Sequence, residues 1–259
     1  MDTYLEKINA LIPIHQGVAG LNPALDRLYP IALAVDDQLR VYDHLADSAG
    51  YQFIQSIPAP MPIPVGVRAA FQLGDYGGRI ACVVTPEVFE KPAGYVTILH
   101  EFVHCYQYET CEQALKLKLD VARQASEGGD VMWEIAYPFP YQAVAFTRAY
   151  AGFLRAVSDC DAPEILRMRG DLRAYLGLHD YEYLVWQEWK EGFARWVENR
   201  VQRKLGLAEN KLGLQPPYSR VSFYAGGAAL IDCLFTQDPS LVGDLRGLFH
   251  QISLPMKIN

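Results

Sequence analysis

Apolar residues in the first fifty positions recur at three- and four-residue steps. Leu25, Leu28, Ile31, Val35, Leu39, Tyr42 and Leu45 form one such stripe, which predicts a helix over 22–48, interrupted at Pro30 and ended at Gly50. A shorter helix is predicted over 2–12. The pattern then changes. YQFIQSI (51–57) reads as a strand, and PAPMPIP places proline at 58, 60, 62 and 64. Proline at every second position forbids a helix and suits an extended edge segment or connector, packed on the domain through its interleaved apolar residues. VRAAFQL (67–73) and RIACVV (79–84) flank Gly-Asp-Tyr-Gly-Gly, a hairpin signal. Thr85-Pro86-Glu87 reads as a helix start capped by Thr85. From residue 93 the pattern is almost wholly helical, with breaks at 128–130, 137–140, 161–163 and 176–180. The expected fold class is α+β, mainly helical: N-terminal helices over 1–50, a small β region, then a helical body, all in one domain over 1–259.

Composition narrows the partners. With 51% hydrophobic residues in 259, the chain has material for a continuous core and needs neither disulfide nor structural metal to fold. The net charge is −7, and the densest basic group, Arg195, Arg200, Arg203 and Lys204, is interleaved with Glu191 and Glu198. Nucleic acid is therefore not an expected partner. No apolar run reaches 18 residues, so no membrane span is expected. The opening MDTYLEKINALIPIH lacks a basic stretch followed by an apolar one and is not expected to be a signal peptide. Five cysteines, odd in number, irregularly spaced and without Cys-x-x-Cys, do not resemble a secreted disulfide framework. A reducing, cytoplasmic location follows as the expectation; oligomeric state is left open.

The chemistry concentrates in YVTILHEFVHCYQYE (95–109). On a helix, His100 and His104 lie one turn apart on the same face and can reach one metal ion, while Glu101, rotated by about 100°, can sit beside a bound water. Chance produces this pattern about once in a hundred chains of this composition, the alternative being a buried helix with two hydrogen-bonded histidines. A catalytic zinc needs a third protein ligand and an open position. A third histidine six residues after the second, preceded by a glycine, is excluded because Thr110 and Gln107 occupy those positions. A glutamate from another helix remains. Glu191, in WQEWKEGFARWVENR, is favoured because Gly192 and Ala194 would let its helix approach closely. Glu134 is the second choice. Glu188 and Glu198 share the Glu191 stripe and suit hydrogen bonds to a ligating histidine, or alternatively salt bridges to Arg195 or Lys190. Cys105 points away from the metal face, and His15, His44, His179 and His250 lack partner spacing. The aromatic run 132–146 reads as core packing rather than as a lid.

HEFVH followed by EWKEGFARWVE resembles the gluzincins, in particular the aminopeptidase-N-like zinc peptidases, whose zinc glutamate lies in a Glu-Gly-Phe-Ala sequence trailed by an aromatic residue and a second glutamate. Glu191-Gly192-Phe193-Ala194 matches that stretch, with Trp196 and Glu198 in the trailing positions. The resemblance implies a zincin-like catalytic domain, zinc held by His100, His104 and Glu191, and Glu101 as catalytic acid/base. PPYSRVSFYAGGAALIDCL (216–234) is similar to the segment carrying that family's catalytic tyrosine, which implies Tyr224, or Tyr218 upstream, as oxyanion donor. The sequence departs from the family in two ways. Eighty-seven positions separate His104 from Glu191, so a helical insertion over 105–185 is expected between the ligands. The upstream Gly-x-Met-Glu-Asn stretch that holds a substrate's amino terminus is absent, which leaves aminopeptidase specificity without support.

The reading is a zinc metallopeptidase in which water, with Glu101 as general base, attacks a peptide carbonyl. Extended substrate is expected to pair with an edge strand near 79–84. A zinc hydrolase acting on a non-peptide amide, ester or epoxide, and a non-catalytic metal-binding protein, remain as alternatives.

Overall fold

The structure is a computed structural model and describes residues 3–254. Its contacts divide the chain into two compact units: Met1–Thr110 with Val197–Glu209, and Cys111–Trp196 with Asn210–Asn259.

The first unit opens with α1 (Thr3–Asn9) and α2 (Leu11–Val18), followed by two short 3-10 turns, Ala19–Leu21 and Pro23–Leu25. Five strands follow: β1 (Ile31–Val35), β2 (Gln38–His44), β3 (Tyr51–Pro58), β4 (Arg68–Leu73) and β5 (Arg79–Val84). They form one sheet in the order β3-β2-β1-β5-β4, antiparallel except where β1 runs parallel to β5. Ala32, Leu39, Val41, Ile57, Leu73, Ala81 and Val83 make the core on one face. Ala59 and Ile63, between the prolines of 58–64, pack on that cluster as the spacing predicted. The helix α3 (Pro92–Gln107) packs on β4 and β5. At its start Gly94 lies directly against the Val88 carbonyl of the 3-10 turn Pro86–Glu90, and a side chain there would collide with backbone.

The helix expected over 22–48 is replaced by a hairpin. Asp36 and Asp37, at φ 51° and 58°, form a two-residue turn between β1 and β2, with Val35 paired to Gln38. Two consecutive left-handed residues give the turn twist that antiparallel strands need, and aspartate tolerates that region better than most residues. Ile31, Leu39 and Tyr42 are buried as strand residues, whereas Leu45, assigned to the same helical stripe, is exposed. The N-terminal helices therefore end at Val18 and do not extend over 1–50. A second correction concerns the sheet edge. Strand β5 lies between β1 and β4, and the edge beside it is β4 (68–73); residues 79–84 all pair with β4, and 82–84 pair with β1 as well, so β5 is not the edge strand. A third concerns Thr85, which begins a 3-10 turn and not an α-helix; its Oγ1 accepts from the Gly66 amide at 3.0 Å.

The second unit is helical: α4 (Gln113–Lys116), α5 (Asp120–Glu127), α6 (Trp133–Ala136), α7 (Val144–Ser158), α8 (Ala162–Tyr175), α9 (Leu178–Lys204), α10 (Arg220–Gln237) and α11 (Leu245–Ser253). The last turns of α9 belong to the first unit. Helices α9 and α10 cross at glycines: a Cβ on Gly192 would lie 2.7 Å from the Gly227 Cα, and one on Gly227 the same distance from the Glu188 Cα. Gly192 thus serves the crossing with α10. Trp133, Phe139 and Phe146 of the aromatic run are buried, in agreement with core packing. Cys160 and Cys233 form a disulfide, which the odd thiol count did not foretell; Cys82, Cys105 and Cys111 are buried thiols.

Candidate metal centre

His100, Glu101 and His104 are all buried on α3, whose apolar residues anchor it in the first unit; the Phe102 ring meets Tyr29 at 5.6 Å between centroids. The i, i+4 spacing brings the two imidazoles together at 4.9 Å between centroids and 76° between planes. Their Nε2 atoms lie 3.2 Å apart. Each ring is held from its other side. His100 Nδ1 lies 2.8 Å from Glu198 Oε2, and His104 Nδ1 lies 2.9 Å from Gln107 Oε1. Both partners are acceptors, so both Nδ1 atoms carry the proton, and both Nε2 lone pairs face the same point. Two such lone pairs repel unless a cation sits between them. Two nitrogens bound tetrahedrally at about 2.0–2.1 Å lie roughly 3.3 Å apart, so the observed separation suits one metal ion.

One nitrogen from each histidine and one carboxylate oxygen of Glu191 all lie within 4.8 Å of one another, the one such group among the described residues that could hold a metal ion. Two imidazoles and a carboxylate form a donor set that zinc and other divalent transition metals accept.

In the second unit, Glu191 stands among cations and phenols. Arg220 Nη1 lies 3.8 Å from Glu191 Oε1. The guanidinium carbons of Arg220 and Arg195 lie 5.3 and 5.6 Å from the centroid of the Tyr224 ring. The Tyr224 hydroxyl donates to Glu191, and burial together with that carboxylate pushes its pKa up from the ordinary value. Tyr218, the alternative, packs on Tyr150 at 5.3 Å and on Phe146 at 6.3 Å. Of the two candidates, Tyr224 is the one whose hydroxyl interacts with Glu191.

The other candidate carboxylates are otherwise engaged. Glu134 accepts from Lys116 at 2.5 Å, Lys190 at 2.8 Å and the Trp186 indole at 3.1 Å. Burial opposes its charge, but the two ammonium groups prevail and lower its pKa to about 2. It is therefore set aside as a ligand. Glu188 is paired with the buried Arg169 at 2.6 Å, not with a histidine, Arg195 or Lys190. Glu198 does contact His100, one of the two candidate ligand histidines, as its stripe suggested. Gln107, named in the sequence only as the residue that excludes a glycine, was not foreseen as a partner of His104; its signal was a polar side chain three positions on, on the same helix face. His15 bonds the Leu25 carbonyl at 2.7 Å, an ordinary structural role. Glu101 is buried and close enough to Cys82 that, after burial, its charge helps to raise that thiol's pKa.

No helix among the described residues is long and apolar enough to cross a membrane. No known protein family, no curated protein and no solved structure matches this chain.

Proposed function

We propose that this chain is a metal-dependent hydrolase, a zinc peptidase of the gluzincin type, with His100, His104 and Glu191 as ligands and Glu101 as general base. The observation that carries this reading is the pair of Nε2 lone pairs 3.2 Å apart, each ring oriented through Nδ1, with the Glu191 carboxylate within 4.8 Å of both rings' ligand atoms. A zinc ion bound there would polarise a carbonyl and lower the pKa of a coordinated water toward about 7. Glu101 takes a proton from the attacking water and returns it to the leaving nitrogen. The C–N bond breaks, the hydroxyl stays on the acyl carbon and the proton ends on the amine. Tyr224 holds Glu191 before substrate arrives and offers a neutral phenol for the developing oxyanion, because its raised pKa keeps it protonated.

The test is elemental analysis of the purified chain, followed by digestion of a mixed peptide library read by mass spectrometry. The reading expects about one zinc per chain and cleavage that a chelator abolishes. A chain that takes up no metal would end it. A metal-loaded chain that cuts no peptide would move it to non-peptide amides or esters.

A further inference from the structure

Arg220 opens α10 and stands beside the candidate ligand Glu191. Arg169 is matched by Glu188 at 2.6 Å and by the Ile252 carbonyl at 2.8 Å, and Arg167 by Glu164 and Asp171. Arg220 lies 3.8 Å from Glu191 and over the Tyr224 ring, and none of its N–H groups makes a hydrogen bond among the described residues. A charge-assisted N–H···O bond measures about 2.7–2.9 Å, so the Glu191 contact is electrostatic only. A guanidinium carries five donors in a planar fork that matches a carboxylate bidentately. Its side chain is 30% exposed, so a ligand can reach it.

Among the described residues the neighbouring groups give this fork no hydrogen-bond acceptor. Arg195 flanks the same phenol ring from α9. The Tyr141 hydroxyl is hydrogen-bonded to Tyr183, whose own hydroxyl donates to the Glu134 carbonyl at 3.1 Å. Among the described residues Glu191 is the one carboxylate paired with Arg220, and at 3.8 Å it leaves the guanidinium N–H groups unbonded. A guanidinium 3.8 Å from its nearest carboxylate, with no hydrogen bond to it, keeps its donor fork for an anionic group and offers nothing to a free amine.

We propose that Arg220 binds the free carboxylate of the substrate, making acids its substrate class: peptides cut close to a free C-terminus, or N-acyl amino acids. This inference rests on the hydrolase reading for its chemistry but not for its binding step.

Two measurements separate them. The first is calorimetric binding of N-acetyl-phenylalanine and of its amide to the full chain, both zinc-loaded and chelator-treated. The free acid is expected to bind at least about tenfold more tightly than the amide in both forms. Arg220→Gln abolishes that preference, Arg220→Lys retains part of it, and Arg148→Gln, on an exposed position of α7, leaves it intact. Equal binding of acid and amide to the wild-type chain overturns the proposal without reference to any variant. A preference that survives in folded Arg220→Gln also overturns it. The second measurement is hydrolysis of peptides with free and with amidated C-termini by the zinc-loaded chain. Equal cleavage of both removes the anchor and leaves the hydrolase reading standing. An Arg220-dependent acid preference in binding with no cleavage of any peptide keeps the anchor and removes the peptidase reading.

Discussion

Glu198 Oε2 lies 2.8 Å from His100 Nδ1, seven residues beyond Glu191 on the same helix. The contact fixes which nitrogen of His100 carries the proton and which presents a lone pair. A carboxylate behind an imidazole also raises its basicity as a ligand. The helix α9 therefore carries both a candidate ligand and the residue that orients another.

Glu198→Gln is expected to weaken zinc binding about 10–100-fold, the usual cost of removing an outer partner of a ligating histidine. Competition with a chromophoric chelator measures it directly. Unchanged affinity would show that the Glu198 contact does not tune the ligand.

Glu101→Gln preserves the volume of the side chain and removes its proton-accepting charge. Zinc content should stay at the wild-type level while turnover falls about 10²–10⁴-fold, the range for a positioned general base. Turnover at the wild-type rate would remove Glu101 from the mechanism.

The pattern of success in reading the sequence follows interaction range. His100, Glu101 and His104 were legible because one helical turn fixes their relation, and Glu191 with Glu198 because they share a helix. The β1–β2 hairpin was not, because its strands happen to carry apolar residues at helical spacing and its turn is Asp-Asp, without the glycine that usually marks such a turn. Glu134 could be set aside only after folding brought Lys116 and Lys190 to it, since one lies 18 positions before it and the other 56 after. The Cys160–Cys233 bond spans 73 positions and leaves no local trace.

Glu134 predicts a dependence on pH. Its folded pKa of about 2 lies below the ordinary 4.5, so its stabilising contribution is present above pH 4.5 and fades as pH falls through 4.5 toward 2. Glu134→Gln should be less stable than wild type at pH 7, with the gap narrowing at pH 3. Urea unfolding at the two pH values measures this. A gap of constant size would mean that the carboxylate's charge is not what stabilises the site.

The α9–α10 crossing predicts opposite signs for one substitution. Gly192→Ala and Gly227→Ala place a methyl group against backbone and should each cost about 1–3 kcal/mol. Gly170→Ala in α8 meets nothing within 4 Å and should stabilise by up to about 1 kcal/mol, because alanine is the better helix former. Denaturant midpoints for the three variants decide it.

The continuity of α9 through residues 191–198 makes it a ruler. Seven residues advance about 10.5 Å and return nearly to the same angular position, about 20° short of two full turns. Inserting a single alanine between Glu191 and Glu198 would swing one carboxylate about 100° out of phase with the other. The long stretch between His104 and Glu191 obeys no such rule, because loop length is a weak thermodynamic constraint. Length variation should therefore be tolerated among the connections before α9 and forbidden within these two turns, so that the register of a few helical residues, more than the size of the segment before them, decides whether the candidate centre can assemble.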